Sequence, residues 1–230
     1  MNGAPEVPGT SGSLQGEAQP PMPPGTPALR MVLTLALAGA LAGLLLSSVH
    51  GWAQPRIDAH HAAVLRTAIL EVLADPQHYE TLYVVDDALA AQAPAGADTS
   101  ALDRVHVGFD AAGGIVGFAI EGAEPGFQDV IRLLFGYDAG ANRLIGMRVL
   151  ESKETPGLGD KIEKDSAFVR EFRGVAAPLA GVKSGAGDGT DNEVDMITGA
   201  TISSRAIIDI INHRLERLGP ALQAYMQARP

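Results

Sequence analysis

The chain has no cysteine among its 230 residues. That absence excludes a disulfide framework, a thiolate zinc site, a Cys-ligated iron–sulfur cluster and a cysteine nucleophile. It also excludes a lipidated N-terminal cysteine, so any membrane attachment must come from an apolar segment. Basic residues are scarce: 17 Lys plus Arg stand against 27 Asp plus Glu, for a formal charge of −10. There is no basic stripe and no set of aromatics on a positive face, which argues against a nucleic-acid partner. Acidity of this kind mainly keeps a domain soluble. Several motifs are missing too: the Gly-x-Ser-x-Gly elbow, the Walker loop, His-Glu-x-x-His and the dinucleotide fingerprint. No internal repeat is visible, and no residue set stands out as catalytic or metal-binding.

The length suggests one globular domain plus tails. Residues 1–28 are rich in Pro, Gly, Ser and Glu and read as a disordered tail. An apolar anchor is expected over 29–52. Its centre, Met31 to Val49, is 19 residues without a charge, or roughly 28 Å of helix against a ~30 Å hydrocarbon core. Gly51-Trp52-Ala53 offers small residues where a signal peptidase cuts, but the length of the run favours an uncleaved anchor. Arg30 precedes the run while Arg56 and Arg66 follow it, so charge does not orient it.

A linker helix is expected over 55–76, with Ala63, Leu65, Ile69, Leu70 and Leu73 at helical spacing and Asp75-Pro76 as its stop. A domain over 77–230 follows. Strand-like runs lie at 81–85, 104–109, 114–120, 130–137 and 142–150, with turn signals at Gly113-Gly114 and Asp138-Ala139-Gly140. Consecutive hairpins predict a mostly antiparallel sheet. Residues 151–162 form a loop dense in Gly and Pro, 166–172 a short helix, 184–193 a polar loop and 193–198 a last strand. A helix from about Ser203 to Leu218 places Ile207, Ile210, Ile211, Leu215 and Leu218 on one face. Gly219-Pro220 is expected to stop it, with a shorter helix after. The fold class is α+β, an antiparallel sheet with flanking helices behind one transmembrane helix.

The start of that late helix reads Thr198-Gly199-Ala200-Thr201-Ile202-Ser203-Ser204. Capping needs one hydroxyl, which Ser203 or Ser204 would supply. Thr198 and Thr201 remain. A helix N-terminus presents free N–H groups and the positive end of the dipole, a natural seat for a phosphate. The spacing by itself fits a bound phosphate, a phosphoester or plain capping. The carboxylates Asp188, Asp191, Glu193 and Asp195 do not have EF-hand spacing and read as a solvated loop. His60 and His61, adjacent on a helix, point to different sides, and Lys153, Lys161 and Lys164 read as solvated more readily than as a partner patch.

Asp195 to Thr201 resembles the signature at which a flavin transferase attaches FMN: an aspartate three residues before a Ser/Thr-Gly-Ala-Thr/Ser element. Lys153-Glu154-Thr155-Pro156-Gly157-Leu158-Gly159-Asp160-Lys161-Ile162 resembles the Glu-Thr-Pro-Gly-Leu-Gly loop of two related families. These are the G subunit of the Rnf electron-transport complex and the C subunit of the sodium-translocating NADH:quinone reductase. The resemblance runs in order over about residues 30–215, and Asp-Lys-Ile at 160–162 with "IRLLFGYD" before it leans to the Rnf protein. Thr198 stands where Ser is commoner, and "GFQD" at 126–129 where a more Gly-rich turn is usual; the long Pro-rich head is atypical.

The resemblance implies an electron-carrier subunit of a membrane-bound, ion-translocating oxidoreductase. It would be a single-pass protein of the inner membrane with its FMN domain on the periplasmic side. It implies FMN esterified through its phosphate to Thr201. Asp195, Thr198, Gly199, Ala200 and Ser203 would form the recognised signature. Glu154, Thr155, Pro156, Gly157, Leu158 and Gly159 would lie by the isoalloxazine ring. The partners implied are the other membrane and redox subunits and a flavin transferase. Two other readings are a stand-alone extracytoplasmic flavoprotein reductase and a structural subunit without flavin.

Overall fold

Apolar runs between residues 78 and 151 pair into one sheet. The structure, a computed structural model, describes residues 28–99 and 102–229; the tail expected over 1–28 lies, but for Ala28, outside them. The chain divides into two compact units, Met1–Pro55 and Arg56–Pro230. The first helix, α1 (Ala28–Val72), has Pro55 inside it and carries a stretch long and apolar enough to cross a membrane. In the first unit the leucines from Leu29 to Leu46 that line it are exposed.

In the second unit the strands β1 (His78–Val85), β2 (Ala88–Ala90), β3 (Arg104–Phe109), β4 (Ile115–Pro125), β5 (Val130–Asp138) and β6 (Arg143–Glu151) form one sheet. Its order is β2-β1-β3-β4-β5-β6, with every pairing antiparallel. Side chains make the hairpin turns. Asp110 Oδ1 accepts from the Ala112 and Gly114 N–H groups, and Asp138 Oδ1 from those of Gly140 and Ala141. These contacts satisfy backbone donors that the ladder leaves free.

Helices cover both faces of the central strands. Two short helices, α2 (Lys161–Lys164) and α3 (Ser166–Glu171), follow the sheet, and α4 (Thr201–Ala228) closes the unit. Phe118, Ile120, Leu133 and Phe135 share a core with Ile207, Ile210, Ile211 and Leu218 of α4. Ala119 and Leu134, pointing the other way, pack with Ala68, Ile69 and Val72 of α1 and with Leu73. Burial on both faces explains why β4 and β5 read as near-continuous apolar runs instead of strict alternation.

Three details depart from the sequence-based expectation. The segment 193–198 does contribute a strand, β8 (Glu193–Met196), but it pairs in parallel with β7 (Ala180–Lys183) in a separate two-stranded sheet. Gly219-Pro220 does not stop α4, which runs on to Ala228 with Pro220 inside. Leu218, Ala221 and Leu222 are buried on either side of the proline. Their packing outweighs the cost of one lost N–H donor. The helix also begins at Thr201, two residues before the expected start.

Candidate functional site

β8 delivers the chain to α4 through a tight turn. The Ala200 N–H donates to the Ile197 carbonyl at 3.0 Å, and Gly199 has φ +86°, a value glycine adopts without steric cost. Ala200, buried, is the N-cap of α4, and no side chain caps the helix. Thr198, Gly199, Thr201 and Ile202 are exposed. The mouth of the helix therefore presents its first-turn N–H groups beside a threonine hydroxyl and an almost bare backbone.

Neither serine acts as the expected cap. Both lie inside the first turn and face inward, because the helix starts earlier than their position suggested. Ser204 Oγ accepts from the Ile197 N–H at 3.2 Å, which fixes the turn leading into the helix. Ser203 Oγ donates to Glu154 Oε2 at 2.6 Å.

Glu154 is the buried end of the Gly-rich loop, 5 % exposed. Its Oε1 accepts from the backbone N–H of Gln128 at 3.0 Å and lies 3.5 Å from that of Asp129. Burial alone would raise its pKa. The Ser203 hydroxyl and the backbone N–H groups of Gln128, Asp129 and Phe127 more than offset that and hold the carboxyl below its usual range. Two glycines make room for it. A Cβ on Gly126 would stand 2.5 Å from Glu154 Oε1, and one on Gly159 2.7 Å from both Glu154 Cβ and Oε2. Thr155 Oγ1 adds a second tie by donating to Gln128 Oε1 at 3.0 Å. The Gly157 N–H donates to Asp160 Oδ1 at 2.7 Å, which shapes the loop.

The structure thus brings three segments together: 126–130, 154–159 and 199–203. Beyond Ile57, the exposed large apolar side chains among the described residues are Phe127, Val130, Leu158 and Ile202, all on these segments. Leu158 Cδ2 is 3.7 Å from where a Cβ on Gly199 would stand. Leu158 was expected at the site; Phe127, Val130 and Ile202 were not. For Phe127 and Ile202 the signal in the sequence is an apolar residue standing where polarity is the rule, in a Gly-x-Gln-Asp turn and among helix-start hydroxyls; Val130 opens a strand-like run and carries no such signal. Pro156 and Gly157 are exposed on the same loop. Two concavities elsewhere, of about 340 and 350 Å³, are lined by none of these segments.

Asp195, half-buried on β8, accepts from the Gly185 N–H at 3.3 Å. The other carboxylates of the acidic loop go to separate partners: Asp191 to Arg143, Asp188 to the Thr190 N–H, and Glu193 to those of Asp188 and Gly189. Among the described residues no cluster of three or more His, Asp or Glu is placed to hold a metal. Lys153 pairs with Asp129 and Glu151, and Lys164 with Asp160. The lysine pairing holds the Asp160 carboxyl below its usual range; for Asp129 the Val130 N–H is the larger cause and Lys153 the next.

A family model described as the FMN-binding domain matches residues 126–216, which span all three segments. The chain is similar to the G subunit of the ion-translocating oxidoreductase complex from several organisms. Identity to the Yersinia pestis protein is 34 % over 201 residues, covering 83 % of this chain and 91 % of that one. For the Pectobacterium atrosepticum protein it is 32 % over 190 residues, 79 % and 86 % covered. For the Methanosarcina acetivorans protein it is 29 % over 191 residues, 81 % and 92 % covered. Among solved structures, Shewanella oneidensis NqrC superposes with a TM-score of 0.61 at 17 % identity, covering 72 % of this chain and 99 % of that one. The C subunit of the Na(+)-translocating NADH-quinone reductase from Parabacteroides distasonis gives 0.52 at 24 % identity, with 62 % and 77 % covered. These two likenesses concern the fold.

Proposed function

This chain belongs to the family of the G subunit of Rnf-type ion-translocating oxidoreductase complexes, and from that premise we propose that it carries FMN as a phosphoester on Thr201. It is a redox subunit of such a complex, built on an FMN-binding domain. One observation carries the attachment site: Thr201 is the exposed first residue of a helix that no side chain caps, next to Gly199 and Ala200.

The residues present suit such a group. Thr201 Oγ1 would supply the ester oxygen: as its bond to phosphorus forms, the hydroxyl proton is lost and the bond from phosphorus to the leaving group of the transferase's activated flavin donor breaks, so the chain gains one FMN less one water. The first-turn N–H groups of α4 face the charge that the phosphodiester retains, a contribution of about 0.3–1 kcal/mol. Gly199 and Ala200 let a bulky group reach the backbone. Leu158, Phe127 and Ile202 offer apolar contact to a flat ring, while Pro156 and Gly157 keep the loop beside it slim and Gly159 makes room for Glu154. Asp195, Thr198 and Ser203 complete the signature that the transferase reads. When bound, FMN supplies one-electron transfer between partner subunits; the protein contacts around it set its potential. The chain holds no dinucleotide fingerprint and depends on other subunits for a complete reaction. The division into anchor (29–52), linker helix (55–76) and FMN domain (77–230), with the domain on the periplasmic side, belongs to the same proposal.

The test uses the full-length chain co-expressed with a flavin transferase and extracted in detergent. Intact mass and peptide mapping are expected to find one FMN less water on the peptide holding Thr201 and none on Thr201→Ala. Covalent flavin surviving in Thr201→Ala overturns the assignment.

A further inference from the structure

Glu154 stands apart from the rest of the loop it begins. Thr155 is half-buried, Pro156, Gly157 and Leu158 face outward, and Gly159 turns in against Glu154 itself. The Glu154 carboxylate is buried and committed to groups of two other segments: Ser203 in α4 and the backbone of Gln128 and Asp129. A carboxylate is the side chain with the acceptor capacity for this set, having two oxygens and about four lone-pair sites. Without it, two backbone N–H groups and a hydroxyl would converge on one place with nothing to accept from them. Gly126 and Gly159 lie so close to its carboxylate that any side chain there would displace it. The segments it ties carry Phe127, Leu158 and Ile202, which are 65 %, 50 % and 57 % exposed. Left to themselves, exposed apolar groups on two loops and a helix end would not stay in one arrangement. Loop tips and helix ends are elements of low local stability.

We propose that Glu154 is the positioning residue of this site: its carboxylate clamps the 126–129 turn and the first turn of α4 to the Gly-rich loop, so that Phe127, Leu158 and Ile202 make one preformed apolar platform beside Thr201. Glu154, expected beside the ring, is buried and acts through these neighbours. The inference rests on the FMN reading for the purpose of the platform, but the clamp itself is a property of the protein alone.

The experiment compares the full-length chain with Glu154→Ala, Glu154→Gln and Ser203→Ala, each co-expressed with the flavin transferase and purified in detergent. Three quantities are read: amide hydrogen exchange resolved to residues 126–130, the fraction of chains carrying FMN by intact mass, and the absorbance spectrum of the bound flavin. In Glu154→Ala, exchange at Gln128 and Asp129 is expected to speed on the order of tenfold, as a charge-assisted acceptor is lost. Amides in the centres of β3, β4 and β5 keep their protection. Flavin incorporation falls severalfold, and the residual flavin shows a shifted spectrum. Glu154→Gln keeps a carbonyl oxygen for the two N–H groups and restores most of the incorporation and of the turn's protection. Ser203→Ala leaves the turn protected but speeds exchange at the start of α4.

Unchanged exchange at 126–130 in Glu154→Ala overturns the clamp. Normal incorporation and an unshifted spectrum, with the turn loosened, overturn the positioning role. If Glu154→Ala fails to fold, Ser203→Ala decides: exchange at the start of α4 and a flavin spectrum both matching the parent overturn the proposal. A parent chain that carries no flavin refutes the FMN reading instead, while the exchange data still decide the clamp.

Discussion

Replacing Gly159 by alanine puts the packing around Glu154 to a quantitative test. The new Cβ would stand 2.7 Å from Glu154 Cβ and Oε2 and 3.2 Å from Ser203 Oγ. Carbon atoms in contact prefer about 3.5–4.0 Å, so the overlap is roughly 1 Å. Glu154 Cβ is the root of its side chain and cannot swing clear without pulling the carboxylate off the Gln128 N–H. Overpacking of this kind costs about 1–3 kcal/mol. An opposing effect exists: Gly159 does not have a positive φ, so alanine also reduces the freedom of the unfolded chain, a gain of about 0.4–1 kcal/mol. The close approach wins, and the net loss is about 1–2 kcal/mol. For a unit of this size each kcal/mol lowers Tm by about 2–4 °C. Calorimetry of the full-length chain in detergent should therefore place the Gly159→Ala transition roughly 2–8 °C below the parent. Gly157→Ala is the control, since that position has open space but φ +77°, and its cost would be backbone strain of about 1 kcal/mol. A Gly159→Ala protein as stable as the parent, or more so, refutes the tight seat assigned to Glu154.

Gly219 lies in α4 with open space out to 4 Å around the place a Cβ would take, so Gly219→Ala should raise stability by about 0.5–1 kcal/mol in denaturant titration. Phe127 is 65 % exposed; Phe127→Ser should leave stability within about 0.5 kcal/mol while shifting the flavin absorbance, and an unchanged spectrum removes it from the site. Burial, helped by Arg104, lowers the His106 pKa from 6.5 to about 4, against a smaller opposing pull from Glu121. The unfolded chain therefore binds a proton at His106 before the folded one does. Stability is full above about pH 6.5 and is lost as pH falls toward 4, on the order of 3 kcal/mol from this group. His106→Gln should flatten the urea midpoint across that window relative to the parent; parallel pH profiles would contradict the assignment.

The hairpins of the sheet could be read from the sequence because each depends on neighbours in the chain. β3 coincides with the run 104–109, and Asp110 and Asp138 shape turns within a few residues of themselves. β7 could not be read this way. Its "AGVK" alternates over only four residues, too short a run to signal a strand, and it exists because β8, ten residues on, lies alongside it in parallel. Pro220 misled for a similar reason: a local rule for helix ends lost to burial of Leu218 and Leu222 against the sheet. At the site, the linear motifs marked the Gly-rich loop and the helix mouth. The bonds of Glu154 to the Gln128 N–H and to Ser203, which bring the three segments together, span 26 and 49 positions. No local pattern encodes them.

The place of α4 in the chain has a consequence for how the protein is made. The sheet is complete by Glu151, and its pairings join strands that are consecutive or nearly so, the arrangement that forms fastest. One face, with Phe118, Ile120, Leu133 and Phe135, is then without the cover that Ile207, Ile210, Ile211 and Leu218 provide. That cover is synthesised some fifty residues after the sheet, since α4 begins at Thr201. With the proposed topology, a nascent domain on the far side of the membrane would hold an apolar sheet face open until α4 arrives, a state prone to association. The same late helix begins with Thr201, so the hydroxyl meets its surroundings only when that face is closed. With the proposed attachment at Thr201, completion of the core and readiness for modification would be a single event in the protein's biogenesis.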